Sequence, residues 1–391
     1  TTTHGRTVVV RAVAPLVPWS ELTAALRPNG RNDDPIDPAG GFKFSFVEAL
    51  YIGGCRDMPV CSNYPDYLKL WNMWMTLTEP NNATPIDRQI VDGFSGYRSI
   101  YWQSTNRIPI FLAQGWTDDL FPAPEALRMY RALKAIDPNY PIALYLGDSG
   151  HPRAATKPGE VDYIIEQVLA WFDWYLQGEG AQPPLDVQAA ITRPKNVPFR
   201  SADVIRVPTY DDLAASTLTK SFHGLPQVLT FNPANTSGVV WDPIIMIGAE
   251  ELQYNPTPDV PPDFVPGDVA VYELPLSQSL LIAGQPSVTM MIHQLSPLGF
   301  REQLNVRLYD VKPDGTKQLV TRGTYTIDTS NRVTPIGSTK VTITTYGNVW
   351  QADANDTLRL EISNVDSPYI APSKVPSITQ ITSVTLTLPV R

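Results

Sequence analysis

"LGDSGHPRA", residues 146–154, decides how the chain is read. From its left end, Gly147-Asp148-Ser149-Gly150 offers a serine set among small residues, as around a nucleophile. From its right end it offers one histidine, His151, just past the apolar run "PIALYLGD" (141–148). Only one of Ser149 and His151 can be the reactive residue of this loop, and the surrounding pattern has to choose.

The run 141–148 and an upstream counterpart, "RIPIFLAQG" (107–115), are short, apolar and bounded by Gly or Pro, which predicts buried strands. "VVVRAVAPLV" (8–17) reads the same way. Between the first two lies "APEALRMYRALKAID", with Ala126, Met129, Tyr130 and Leu133 at helical spacing, Pro124 near the start, where a missing N–H is harmless, and basic residues late. After the histidine, "GEVDYIIEQVLAWFDWYLQGEG" lines up Ile164, Ile165, Val168, Leu169, Phe172 and Leu176 in one stripe, with Gly178 as its stop. Strand, helix, strand, helix predicts a doubly wound parallel sheet covered by helices.

Residues 18–106 break this alternation. "YPDYLKLWNMWMTL" is aromatic with helical spacing among Pro, Asn and Asp breaks, and reads either as a helical cap over a site or as a plain packing subdomain. From about residue 185 the rhythm becomes period two: "SVTMMIHQL", "QLNVRLYDV", "KVTITTYGNVW", "DTLRLEISNV" and "ITSVTLTLPV" are β-branched and alternating, with turn signals such as Pro313-Asp314-Gly315. That predicts a β-sandwich or jelly roll. The expected organisation is therefore residues 1–180 as the α/β part, with the cap at about 18–106, and 185–391 as an all-β domain.

Open parallel sheets present reactive groups in loops at the carboxyl ends of their strands. One such loop is "GWTDDLFP", with Asp118 and Asp119; the other is "DSGHP", with His151. Neighbouring strands would bring an acid and the histidine within hydrogen-bonding reach, the pair in which a carboxylate fixes an imidazole that takes a nucleophile's proton.

On these residues the chain resembles the cocaine esterase/X-prolyl dipeptidyl-peptidase (CocE/NonD) branch of the α/β-hydrolases. "GWTDDLFPAPEALRMYRAL" followed by "LGDSGHPRA" is similar to the branch's acid and histidine segments. "VRAVAPLVPWSELTAALRPNG" is similar to its strand and cap entrance after the nucleophile. "DVAVYELPLSQSLLIAGQPSVTMMI" with "LNVRLYDVKPDGTKQLVTRGTY" resembles its C-terminal jelly-roll, galactose-binding-like domain. The resemblance implies a metal-independent serine hydrolase, without cofactor, that cleaves ester or amide bonds, X-Pro peptides among them, through an acyl-enzyme. It implies His151 as base, Asp118, three residues after the strand-end Gly115, as the acid that orients it, and Trp116, Leu120 and Phe121 beside the acyl pocket. Asp119 is then a loop or capping carboxylate. Ser149 belongs to the turn that presents His151: a chymotrypsin-like reading would need a His and an Asp upstream on an all-β frame, and only His4 precedes it. His4, His223 and His293 read as surface or packing residues.

One part of the pattern is missing: no Gly-x-Ser-x-Gly elbow occurs, and "GFSGY" (93–97) has the wrong spacing. The resemblance implies that the nucleophile and oxyanion donors lie on an N-terminal segment before residue 1, so that residues 1–391 alone are expected to be inert. The alternative is an inert fragment acting as a binding module through its jelly roll. A nucleophilic Thr1 would leave Asp118 and His151 without a role.

The remaining composition sets bounds. A net charge of -9 without a basic cluster argues against nucleic acid, and the absence of a long apolar run argues against a membrane span. Cys55 and Cys61 in "CRDMPVC" suit a local disulfide better than a metal site, with two free thiols as the other reading. A disulfide, the 38 prolines and the few lysines fit a secreted or extracytoplasmic protein, while a cytoplasmic one and a homo-oligomer stay open.

Overall fold

The computed structural model describes residues 5, 8–32, 34–80, 84–96, 107–194, 196–233, 269–294, 302–327, 338–367 and 369–391. By contact the chain divides into two compact units, Thr1–Ser20 with Ile100–Leu213 and Glu21–Ser99 with Ala214–Arg391. Four helices come first along the chain: α1 (Leu22–Leu26), α2 (Phe44–Gly54), α3 (Asp66–Leu77) and α4 (Pro85–Ser95). They are followed by β1 (Ile110–Gly115), α5 (Ala123–Ile136), β2 (Ile142–Gly147), α6 (Pro158–Phe172), β3 (Val187–Ala190) and β4 (Val204–Val207).

The last six elements build the first unit. Its sheet runs β1-β2-β3-β4, with β1, β2 and β3 parallel and β4 antiparallel to β3. Every residue of β1 and β2 is buried, as an apolar run without polar alternation requires of a strand covered on both faces. Phe111 and Ala113 of β1 and Ala143 and Tyr145 of β2 pack against Ile164 and Trp171 of α6. Pro158 opens α6, and a short π-helical turn (Asp173–Gln177) closes it at Gly178, whose left-handed φ of 75° ends the helix as its position predicts.

Two expectations change here. Residues 8–17 do not form a full strand: Val13 and Leu16 bridge in parallel to Ile110 and Ala113, but Pro15 and Pro18 interrupt the ladder and Val8, Val9 and Val10 are exposed. And the sheet does not stop near residue 180, because β3 and β4 extend it and the unit ends at Leu213.

The second unit is a sandwich. Its strands are β5 (Ser216–Phe222), β6 (Gln227–Phe231), β7 (Val269–Pro275), β8 (Leu280–Gly284), β9 (Ser287–Gln294), β10 (Glu302–Val311), β11 (Lys317–Ile327), β12 (Ser338–Thr344), β13 (Asn348–Ala352), β14 (Thr357–Ser363) and β15 (Ser377–Val390). One sheet is ordered β11-β10-β14-β7; the other is β12-β9-β15-β8-β13, with β5 and β6 also on β15. Leu304, Val306 and Leu308 of one sheet share a core with Val288, Met290 and Ile292 of the other, which accounts for the period-two pattern.

Residues 18–106, read as a cap on the α/β part, group differently: Glu21–Ser99 belongs with the sandwich. The reason is apolar and cationic. Phe42, Met75 and Ile90 share a core with Ala371, and Lys43 lies over the rings of Tyr346 and Tyr369 at 5.4 and 5.9 Å. Arg27 and Asp87, both buried, pair at 2.8 Å within the same helices. Cys55 and Cys61 are joined as a disulfide.

Candidate active site

β1 and β2 end in register, Gly115 opposite Gly147, so their exit loops start side by side. The acid loop is tied back at once by the Trp116 N–H, which donates to the Gly147 carbonyl at 2.7 Å. Asp118 turns its carboxylate inward. Oδ1 accepts the N–H groups of Leu120 and Phe121, each at 2.9 Å, a local turn that Asp favours because its short side chain reaches its own backbone. Oδ2 accepts from the His151 backbone N–H at 3.1 Å and lies 2.9 Å from ring Nδ1.

Asp118 is wholly buried, whereas the His151 side chain is 36% exposed. With the Nδ1 proton committed to Asp118, the lone pair falls on Nε2, the arrangement of an oriented general base. Gly150 permits this contact: its φ is +135°, and a Cβ there would collide with Asp118 Oδ2.

The second acid has another partner. Asp119 Oδ1 lies 2.9 Å from Arg153 Nη2, with both side chains buried. Arg153 itself sits at φ 83°, so the pair fastens the far end of the histidine loop to the acid loop. Of the three residues expected at the pocket, Trp116 and Leu120 are buried at 0% and 2% exposure. Phe121 meets the His151 ring edge-on at 5.2 Å. Trp19, 41% exposed, packs on Phe121 at 5.2 Å. Neither Trp19 nor Arg153 stands out in the sequence, since an isolated aromatic or arginine carries no periodic signal. Ser149 is buried in the turn.

Beneath the histidine loop lies a group of buried ionisable side chains. Glu160 Oε1 accepts the Tyr145 hydroxyl at 2.8 Å and the Asp148 N–H at 2.7 Å. Burial, and then the neighbouring Asp148 charge, push the Glu160 carboxyl up to about 7. Burial likewise raises Asp148, and it lowers Lys157, whose ammonium lies 3.8 Å from Asp148 Oδ2.

Of the other histidines, His223 is exposed, His293 is half-buried on β9, and His4 lies outside the described residues, as does Thr1. Ser95 of "GFSGY" sits at the end of α4, where its hydroxyl donates to Glu21 at 2.6 Å; Tyr97 is outside the described residues. Among the described residues, no group of three or more His, Cys, Asp or Glu is placed to hold a metal ion, and no helix is long and apolar enough to cross a membrane.

Residues 53–179 match the prolyl oligopeptidase family, peptidase S9. Over 97% of this chain and 73% of the other, the structure is similar to an α-amino acid ester hydrolase, with a TM-score of 0.62 at 15% identity. The chain has the α/β-hydrolase fold. It is also similar to an aminopeptidase from a marine sediment Thaumarchaeota archaeon (TM-score 0.60, 13% identity, 97% of this chain and 72% of that one). A CocE/NonD family hydrolase from Staphylococcus aureus matches with a TM-score of 0.53 at 10% identity, over 95% of this chain and 67% of that one. No curated protein matches the chain. The resemblance to the CocE/NonD branch is thus met, with an α/β part and an all-β part in the expected order.

Proposed function

We propose that this α/β-hydrolase chain supplies the base and the orienting acid of a serine hydrolase acting on ester or amide bonds. His151 accepts the nucleophile's proton at Nε2 and returns it to the leaving group. Asp118 holds the Nδ1 proton and stabilises the imidazolium formed in between. The observation that carries the reading is the 2.9 Å contact between a buried carboxylate and a partly exposed imidazole at the ends of two adjacent parallel strands. The serine and its oxyanion donors are assigned to a segment N-terminal to Thr1, because the chain's own sequence has no nucleophile elbow.

Phe121 against the imidazole, with Trp19 packed on Phe121, favours an acyl group with an apolar or aromatic surface. The substrate class proposed is a small acyl ester, an amide or an X-Pro peptide, and no metal or organic cofactor enters the chemistry. The Cys55–Cys61 disulfide supports assignment to an oxidising, extracytoplasmic compartment.

The test begins with the natural protein. N-terminal sequencing and intact mass identify any polypeptide that accompanies residues 1–391, and a fluorophosphonate probe should label a serine on it. His151→Ala should abolish labelling and p-nitrophenyl ester turnover. Labelling undiminished in that variant would remove the support for His151 as base, and a binding module without activity would then be the better reading.

A further inference from the structure

Glu160 stands in the first turn of α6 and is buried. One of its oxygens does two things. Oε1 accepts the Asp148 N–H, at the peptide where β2 gives way to the histidine loop, and it accepts the Tyr145 hydroxyl from within β2. Gly147 leaves room for this: a Cβ there would collide with Oε1. The strand end is therefore fixed from below by a single carboxyl group.

The residue so fixed is where the two site loops meet. Asp148 Oδ1 accepts the Thr117 hydroxyl from the acid loop and, at 3.0 Å, the Ala155 N–H from the far side of the histidine loop. Its carbonyl accepts the Thr156 N–H at 2.9 Å, and the Thr156 hydroxyl lies 3.3 Å from both the nitrogen and the oxygen of Gly150. A displacement of Asp148 would shift the acid loop and both ends of the segment carrying His151.

The charges around Glu160 make its proton consequential. Facing it are Tyr145 on β2, Asp148 at the strand end, and Lys157 before α6. Tyr163 of α6 faces Tyr145, Arg153 of the histidine loop acts on Asp148, and Arg193 beyond β3 acts on Lys157. The Lys157 ammonium is shared between Asp148 Oδ2 and the Arg193 carbonyl, which it reaches at 2.7 Å. Two buried carboxylates would repel one another, against the attraction of Lys157 and, at Asp148, of Arg153, and a proton on Glu160 removes that repulsion.

We propose that Glu160 is a positioning residue for His151: its protonated carboxyl keeps the histidine loop in register with Asp118, and loss of the proton to solvent loosens the loop. The proposal rests on Asp118 and His151 being the working pair, yet its test does not need turnover.

Hydrogen exchange of the full chain, followed by mass spectrometry on peptides covering residues 148–156, reads the loop directly. Between about pH 6 and about pH 8 protection should fall about tenfold beyond the intrinsic change of exchange rate, because a carboxyl that titrates near neutrality when the loop is closed regains its ordinary acidity when it opens. Glu160→Gln keeps the acceptor and removes the charge, so its exchange in 148–156 should show no such fall between the two pH values. The fall should persist in His151→Gln, which removes the imidazole. A fall absent from the parent, retained in Glu160→Gln or lost in His151→Gln overturns the proposal.

Should Glu160→Gln fail to fold, Gly147→Ala attacks the same contact from the strand. It should raise exchange in 148–156 at both pH values, and unchanged exchange overturns the proposal. A downfield His151 Nδ1 proton resonance monitors the pair itself. Its absence from the parent at both pH values would undo the Asp118–His151 reading instead.

Discussion

Asp119→Asn separates the tasks of two adjacent carboxylates. Asp119 and Arg153 are exposed by only 0% and 2%, and their charges stand 2.9 Å apart. At an effective dielectric constant of about 20, the attraction across that distance is about 6 kcal/mol before desolvation is counted. Neutralising Asp119 takes the ion-pair partner from a buried guanidinium, and breaking such buried pairs destabilises by about 3–5 kcal/mol. Arg153 also loses the contact that helps to hold it at φ 83°. Asp119→Asn should therefore shift the urea unfolding midpoint strongly downward, and adding Arg153→Met should restore most of the loss, since two neutral side chains need no partner. Asp118→Asn should behave in the opposite sense. It keeps an oxygen for the Leu120 and Phe121 N–H groups but presents a donor to His151, lowering probe labelling by about 10⁴-fold, as in other triads, with less loss of stability. An Asp119→Asn variant as stable as the parent would refute the reasoning, as would one that stops labelling while Asp118→Asn labels normally.

Gly150→Ala places a methyl group against Asp118 Oδ2 at a φ of +135° and should cost about 1–3 kcal/mol in thermal unfolding, with loss of labelling. Glu160 gives the fold a dependence on pH. Its carboxyl holds the proton up to about 7 in the folded chain against an ordinary 4.5, so the folded state binds the proton more tightly. The resulting stability is fully present below 4.5 and is lost as pH rises through about 7, a change of about 3 kcal/mol. It should be missing from urea titrations of Glu160→Gln. Replacing Cys55 and Cys61 by Ser opens a loop of five intervening residues and should destabilise the helices of the second unit by about 2 kcal/mol, read by denaturation with and without reductant.

The parts legible in the sequence were those with a repeating physical cause. β1 and β2 announced themselves as unbroken apolar runs, α5 and α6 as single stripes, and β9, β10, β14 and β15 as alternation. That an acid of the first loop would meet His151 of the second follows from two adjacent strand ends, while the choice of Asp118 over Asp119 rested on the family resemblance. What escaped depends on contacts distant in sequence. No local pattern says that Phe42 and Ile90 share a core with Ala371, so the helices between Glu21 and Ser99 read as an adjunct of the α/β sheet. β3 and β4, of four residues each, are too short to carry a periodic signal. An acid in the first turn of a helix carries no sign in the sequence that its carboxyl turns inward, as that of Glu160 does toward Tyr145 and Asp148.

The grouping of the first helices with the sandwich bears on how this chain can be cut and recombined. A truncation after Leu213 would strip Phe42, Met75 and Ile90 of Ala371 and leave Lys43 without its two tyrosine rings, so the shortened product would carry a greasy, half-assembled helical excursion midway along its length. A transplant that swaps the β portion for that of a cousin must therefore move residues 21–99 along with 214–391 as one interlocked module.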